Sequence, residues 1–268
     1  MIRGGGDLGS GVAYRIAKSG LPIIISELAQ PLCVRRLVCY SNAVFQGSIC
    51  IEGIEARLCH SAAEAVETCL SGRIAVLIDP EADIRRKVHP PVLIDARMTK
   101  REPDIDRSAA DLVIGLGPGF IAGKNCHAAI ETNRGSHLGR VCWKGSVEAD
   151  TGLPESVASH QSDRVLRAPV DGIMLEKRMI GDKVVAGEII AEIDRNPISA
   201  GFDGVIRGLL MSGMQVRRGM KIGDIDPRND PALCRLISDK ALAIGGGVFE
   251  AMMTREEIRK TLFGSIPC

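Results

Sequence analysis

Gly4, Gly6 and Gly9 near the start of the chain are spaced as GxGxxG, with Asp7 and Leu8 inside the turn. Residues without a Cβ let a backbone approach a phosphate closely, and unpaired N–H groups at a helix start supply positive potential. Leu8, Val12 and Ile16 recur every fourth residue, which predicts that a helix follows and ends near Gly20. The run Leu21 to Ile25 then reads as a buried parallel strand closed by Glu27. Strand, glycine turn, helix, strand and acid is the order in which a dinucleotide-binding unit places its groups, the acid accepting from a ribose. The same spacing also serves tight packing of a helix on a strand, and it does so with no ligand.

A second glycine-rich turn, Gly115-Leu116-Gly117-Pro118-Gly119, follows the apolar segment Leu112 to Ile114, with Lys124 close behind. It lacks the Gly-Lys-Ser/Thr of a P-loop. Two glycine turns at strand ends could hold the two ends of one anionic ligand, which makes Gly115, Gly117 and Gly119 candidates beside Gly4, Gly6, Asp7, Leu8, Gly9 and Glu27. Further on, Glu131, Arg134, His137 and Arg140 crowd a hairpin connector. Arginine suits phosphate or carboxylate, so Arg134 joins the candidate set, whereas most hairpin tips are merely solvated. Glu27, Asp79 and Asp95 all fall at predicted strand ends without the spacing of metal ligands, so no metal is expected.

These candidates need a scaffold. Strand-like segments at Ile74 to Ile78, Val92 to Ile94 and Leu112 to Ile114, separated by helical or turn segments, predict a Rossmann-like α/β domain over residues 1–145. Ser61 to Ser71 is expected to be one of its helices, with Ser61 as N-cap and Glu64 three residues on. His127 to Thr132 and Gly139 to Trp143 read as a hairpin. A Ser-, Gly- and Pro-rich linker is expected over 146–164, and helices over 229–268, interrupted at Gly245-Gly246-Gly247.

The charge balance is 34 basic to 33 acidic residues, a net +1 that carries no general pull toward nucleic acid or a membrane surface. Aromatic residues are only 3%, too few for base-stacking platforms. Nine scattered cysteines form no framework, which suits a reduced compartment, and no apolar stretch is long enough to span a bilayer. The expectation is a cytoplasmic protein.

Residues 168–194 and 200–226 align without a gap at an offset of 32. Ala168, Asp171, Gly172, Met179, Gly181, Val184, Gly187, Ile190, Ile193 and Asp194 recur as Ala200, Asp203, Gly204, Met211, Gly213, Val216, Gly219, Ile222, Ile225 and Asp226. Two such β units resemble the biotinyl and lipoyl domains, which implies a barrel-sandwich β domain over 165–228. The join, Asp194-Arg195-Asn196-Pro197-Ile198-Ser199, contains no lysine to carry a prosthetic group, so a docking or packing platform is expected instead.

Taken together, Arg3-Gly4-Gly5-Gly6-Asp7-Leu8, the Glu27 to Arg36 segment, Gly117-Pro118-Gly119-Phe120, Glu131-Thr132-Asn133-Arg134-Gly135, Leu138-Gly139-Arg140, Ala168-Pro169-Val170-Asp171-Gly172 and Ile237-Ser238-Asp239-Lys240-Ala241-Leu242-Ala243-Ile244-Gly245-Gly246 resemble the YqeB family. The resemblance runs from about residue 2 to about 262. It implies an accessory protein in the maturation of a selenium-dependent molybdenum hydroxylase, with the hydroxylase apoenzyme as partner and a nucleotide or molybdopterin-type cofactor as ligand. It implies no catalytic residue. An NAD(P)-dependent redox enzyme and a ligand-free scaffold remain the alternatives.

Overall fold

The apolar run after Gly20 forms a strand buried at all five positions, Ile23–Glu27, as β-branched residues covered on both faces should. In the computed structural model, which describes residues 1–99, 101–149 and 163–264, it is the second strand of a nine-stranded sheet. The chain divides into two units. The first comprises Met1–Pro31, Tyr40–Thr151 and Ile237–Cys268, and the second Leu32–Cys39 and Gly152–Leu236.

Strands of the first unit are β1 (Ile2–Arg3), β2 (Ile23–Glu27), β3 (Ser48–Ile51), β4 (Ile54–Cys59), β5 (Ile74–Ile78), β6 (Val92–Asp95), β7 (Leu112–Leu116), β8 (Ile121–Ala122), β9 (Ala128–Ile130), β10 (Val141–Cys142) and β11 (Gly145–Ser146). Its helices are α1 (Asp7–Lys18), α2 (Ala43–Gln46), α3 (Ala62–Leu70), α4 (Arg85–Val88), α5 (Asp239–Thr254) and α6 (Glu256–Phe263). The sheet runs β10-β9-β7-β6-β1-β2-β5-β4-β3. All neighbours from β9 to β4 are parallel, and only the edge strands β10 and β3 are antiparallel. From β1 the chain builds outward through β2 to β5 and then returns to lay β6 and β7 on the other side. The order therefore reverses between β1 and β6.

Local chemistry accounts for the elements that carry this sheet. Ser61 Oγ accepts from the Glu64 N–H at 3.1 Å, and Glu64 Oε2 accepts from the His60 N–H at 2.8 Å, so both exchange bonds across the start of α3. Asp79 closes β5 by accepting from the N–H groups of Asp83 and Ile84, each at 2.9 Å. The hairpin of β9 and β10 pairs Ile130 with Val141.

The C-terminal segment differs from its sequence expectation. Pro231–Arg235 is a short 3-10 turn, Leu236 is 47% exposed, and α5 runs unbroken through Gly245, Gly246 and Gly247. Glycine weakens a helix, yet two of the three sit where a backbone passes too closely for any side chain. A Cβ on Gly245 would lie 2.7 Å from the Gly11 carbonyl oxygen of α1, and one on Gly247 would lie 1.9 Å from that of Gly139. Gly11 answers from α1, its missing Cβ lying 2.5 Å from the Ala241 carbonyl oxygen. The glycines let two helices cross at backbone contact.

In the second unit the strands are β12 (Val165–Arg167), β13 (Gly172–Glu176), β14 (Lys183–Val184), β15 (Ile189–Ile193), β16 (Asn196–Ser199), β17 (Gly204–Leu209), β18 (Gln215–Val216) and β19 (Lys221–Asp226). They form two four-stranded sheets, β12-β19-β17-β14 and β16-β15-β13-β18. Each half of the repeat lends one strand to the other's sheet, β14 to β17 and β18 to β13. The bonds obey the same offset: Met174 N–H donates to Met214 C=O and Ile206 N–H to Asp182 C=O, both at 3.0 Å. Repeated Met174, Ile190, Ile193, Ile206, Ile222 and Ile225 fill one apolar core.

The segment Leu32–Cys39 belongs to this unit. Leu209 N–H donates to Val34 C=O at 2.7 Å, Arg36 Nε to Leu209 C=O at 2.7 Å, and Arg35 Nη2 to Leu236 C=O at 2.8 Å. Contrary to the expectation of free thiols, Cys33 and Cys39 are joined as a disulfide, because the segment folds back on itself between them. Cys50, Cys59, Cys69, Cys126, Cys142 and Cys234 are free.

Candidate functional site

Gly4, Gly6, Asp7, Leu8 and Gly9 lie at the C-terminal end of β1, beside the point where strand order reverses. Ligands of open parallel sheets gather at that position. Gly4 has a φ of 97°, which only glycine adopts without strain, and its N–H donates to Ser26 C=O at 2.9 Å. Gly9 packs α1 onto the turn so closely that a Cβ would sit 2.0 Å from the Gly4 carbonyl oxygen. Gly6 differs: it is the N-cap of α1 and nothing lies within 4 Å of where its Cβ would be. Asp7 and Leu8 are the first two residues of the helix, whose opening N–H groups have no i−4 partner. One side of the turn is thus packed and the other open.

Glu27 is at the end of β2, as expected, but its carboxylate is turned to its own backbone. Oε1 accepts from the Gly5 N–H at 2.6 Å and Oε2 from the Leu28 N–H at 2.7 Å. Burial pushes its pKa up, and those two N–H bonds oppose the rise. Its role here is to hold the glycine turn.

The packed side of the turn is completed by Tyr40, Ser41 and Asn42, a 3-10 turn that the sequence did not single out. Ser41 N–H donates to Gly5 C=O at 2.9 Å, Tyr40 N–H to Ser10 Oγ at 2.8 Å, and Ser10 Oγ to Gly5 C=O at 2.9 Å. Both atoms of the Asn42 carboxamide, Ser41 Oγ and the Tyr40 hydroxyl are buried with no hydrogen-bond partner. Each such unpaired group costs about 1–3 kcal/mol, so a cluster of them is an unusual thing for a fold to retain. Only the polar letters Tyr-Ser-Asn before an apolar turn could have signalled it.

Across the order reversal, Asp95 ends β6 and Arg97 lies over Gly4, its Cγ 3.3 Å from the missing Cβ. Arg97 donates to Asp95 Oδ2 and Asp104 Oδ1, both at 2.6 Å. Arg3, only 2% exposed, donates to Asp104 at 2.7 and 3.0 Å and to Pro80 C=O at 2.7 Å. This network explains how a strand can carry a buried arginine beside its glycine turn: the charge is paired and its donors are used.

Asp104 gives the network a pH signature. Its burial favours the neutral acid, but hydrogen bonds and charge from Arg97 and Arg3 outweigh that and hold its pKa well below the usual carboxylate range. A depressed folded-state pKa stabilises the fold above the unfolded value, near about 3.9, and that contribution disappears as pH falls through the folded value. Asp104→Asn is therefore expected to melt below the parent near neutral pH, with the gap closing as the solution is acidified below about pH 4. Melting curves across that range measure it, and a gap independent of pH would exclude this role for Asp104.

The second glycine turn is filled by its own chain. Gly115 faces the Phe120 ring, Gly117 faces Thr132 Oγ1 and Met98, and Gly119 faces the Arg101 carbonyl oxygen, with missing Cβ atoms 2.0, 2.7 and 2.5 Å from these groups. β7 is separated from β1 by β6, which puts the two turns about 10 Å apart. Arg134 forms a two-pronged pair with Asp239 at the start of α5, at 2.6 and 2.8 Å. His137 Nδ1 lies 2.9 Å from Glu148 Oε1, and both side chains are largely exposed. Among the described residues no group of three or more His, Cys, Asp or Glu is placed to hold a metal ion.

An apolar cavity of about 390 Å³ opens at the opposite ends of the strands, lined by Ile2, Leu21, Ile23, Cys69, Val92 and Met252 among others. It contains no cluster of polar groups and is remote from the glycine turn. Among the described residues no helix is long and apolar enough to cross a membrane.

No protein-family model matches the chain. Among solved structures, an aspartoacylase family protein from Mesorhizobium loti is 11% identical, covering 76% of this chain and 84% of that one with a TM-score of 0.27. The product-bound ectoine utilization protein EutE (DoeB) from Ruegeria pomeroyi is 18% identical over 31% of this chain and 27% of its own, with a TM-score of 0.23. Likenesses at those scores carry no argument. By sequence, the chain is 44% identical over 253 residues to "Uncharacterized protein YqeB" of Escherichia coli (strain K12). The match takes in 94% of this chain and 47% of that protein, so the chain spans about half the length of the curated relative it matches. That similarity, running along nearly all of this sequence, supports the resemblance to the YqeB family.

Proposed function

We propose that the first unit is a Rossmann-like domain that binds a phosphorylated small molecule, a nucleotide or a molybdopterin-type cofactor, with its phosphate on the Gly4–Gly9 turn. The observation that carries this reading is the open face at Gly6, at the N-terminus of a twelve-residue helix and beside the order reversal of a parallel sheet. The network of Arg3 and Arg97 with Asp95 and Asp104 is internally paired, so backbone amides and the helix dipole would supply the attraction. On this reading the second glycine turn stiffens the rim, and Arg134 ties the loop to α5.

The wider role is an inference from the YqeB resemblance: a cytoplasmic accessory protein for maturation of a selenium-dependent molybdenum hydroxylase, docking its apoenzyme. The repeat of the second unit, with its strands exchanged between two sheets, suits a barrel-sandwich platform for that docking. An NAD(P)-dependent redox enzyme would use the same turn, but Glu27 spends both carboxylate oxygens on Gly5 and Leu28. That weighs against a ribose held by this acid. A thermal-shift series with pyrophosphate, ribose 5-phosphate, GMP, CMP, NAD and NADP tests the reading. A phosphate-bearing compound at 100 times its Kd should add about 2.7 kcal/mol, and a flat response to all six would refute it.

A further inference from the structure

We propose that the apolar cavity at the N-terminal ends of the strands binds the aliphatic chain of a medium-chain fatty acid. The site lies within the first unit and is independent of the phosphate reading of the glycine turn.

The cavity is elongated and open. Its main chamber of about 390 Å³ is continued by a smaller one of about 210 Å³, and Leu21, Pro22, Ile23, Cys69 and Leu70 belong to the walls of both. Val66 and Leu70 of α3, which line the main chamber, are 37% and 72% exposed, so its apolar wall runs out to solvent. A fold that leaves such a space unfilled forfeits the close contacts that its own side chains could make there.

The walls say what kind of guest would fill it. Among the described residues, Cys69 and Thr261 are the only polar side chains bordering the main chamber, and each spends its hydrogen inside the protein. Cys69 Sγ donates to Val66 C=O at 3.2 Å and Thr261 Oγ1 to Glu257 C=O at 2.9 Å. Pro22, Pro90 and Pro91 contribute wall positions that have no N–H to offer. A guest is therefore held by burial of its apolar surface. Neither wall contains Phe, Tyr or Trp, so a flexible chain is better matched than a ring that gains from stacking. An apolar cavity of about 150 Å³ holds benzene, which makes this space suitable for roughly twelve aliphatic carbons. The one charged residue of either wall is Arg73, in the smaller chamber beside Gly72, just beyond the end of α3. Its Nε donates to Glu55 Oε2 at 2.9 Å in a half-exposed ion pair, which costs little to share with a second carboxylate. The fatty acid's carboxylate would thus lie in the smaller chamber and its chain in the larger.

Titration calorimetry of the full chain with hexanoate, octanoate, decanoate, dodecanoate and tetradecanoate, each below its micelle concentration, reads the fit. Affinity is expected to rise about fourfold per methylene from hexanoate to decanoate, the ratio equivalent to about 0.8 kcal/mol for each buried CH₂. It should level off near roughly twelve carbons, as the space fills, with one molecule bound per chain. Val66→Trp puts a ring at the mouth from an already exposed position, so it should fold and weaken decanoate binding about tenfold or more. Val185→Trp, at a 60% exposed position of the second unit, should leave that binding unchanged. Should Val66→Trp fail to fold, Leu70→Trp carries the same readout from a more exposed position of the same wall. Absence of binding by every alkanoate, affinity that climbs through tetradecanoate without levelling, or equal affinities in the variants at the mouth and at Val185 overturns the inference. A parent chain that binds no alkanoate and self-associates until Val66→Trp is introduced overturns it in favour of a second copy as the occupant.

Discussion

Gly247→Ala is expected to destabilise the first unit by about 3 kcal/mol or more, whereas Gly246→Ala one residue away should stabilise it by about 0.5–1 kcal/mol. A Cβ on Gly247 would stand 1.9 Å from the carbonyl oxygen of Gly139, an overlap that no rotamer relieves because the obstacle is backbone. Nor can Gly139 retreat freely: it has a φ of 78°, its N–H donates to Glu131 C=O at 2.9 Å, and its own missing Cβ faces the Ala243 carbonyl at 2.6 Å. Gly246 is exposed, with nothing within 4 Å of a Cβ. There alanine brings only its better helix propensity and a less disordered unfolded chain. Urea melts of the two variants should move in opposite directions. Equal shifts would mean that α5 does not touch the hairpin turn.

That triplet also marks where sequence pattern stops being informative. Consecutive glycines are read as a break because propensity is local, and only the approach of Gly11 and Gly139 from distant parts of the chain makes a continuous helix worth its cost. The first strand, turn, helix and second strand were legible, since periodicity and apolar runs report directly on burial. So was the 32-residue register, which reappears in paired hydrogen bonds of the two half-repeats. Glu27 was legible in place but not in use: its position follows from the strand end, while its acceptance from Gly5 and Leu28 depends on a rotamer that spacing does not encode. The partner of the buried Arg3 is not legible locally, because Asp104 is about a hundred residues away. The detour of Leu32–Cys39 into the second unit follows from hydrogen bonds to β17 and to Leu236, which no periodicity in the segment itself announces.

Within the turn, Gly9→Ala and Gly6→Ala should separate folding from binding. Gly9 is enclosed: a Cβ 2.0 Å from the Gly4 carbonyl oxygen and 3.2 Å from Ala96 Cβ would lift α1 from β1, and a loss of about 3 kcal/mol or more is expected. Gly6 has a φ of −68° and ψ of −169°, a conformation alanine adopts without strain. Its substitution should cost at most about 1 kcal/mol, the difference between glycine and alanine at an N-cap. The new methyl nevertheless stands where a phosphate would have to approach the first N–H groups of α1. Affinity for any phosphate-bearing ligand is therefore expected to fall about tenfold or more in a chain that melts almost like the parent. Melting curves establish the first half and calorimetry with the tightest-binding phosphate the second. Unchanged affinity in Gly6→Ala would place the ligand elsewhere, and a large loss of stability would show that this face of the turn is packed after all.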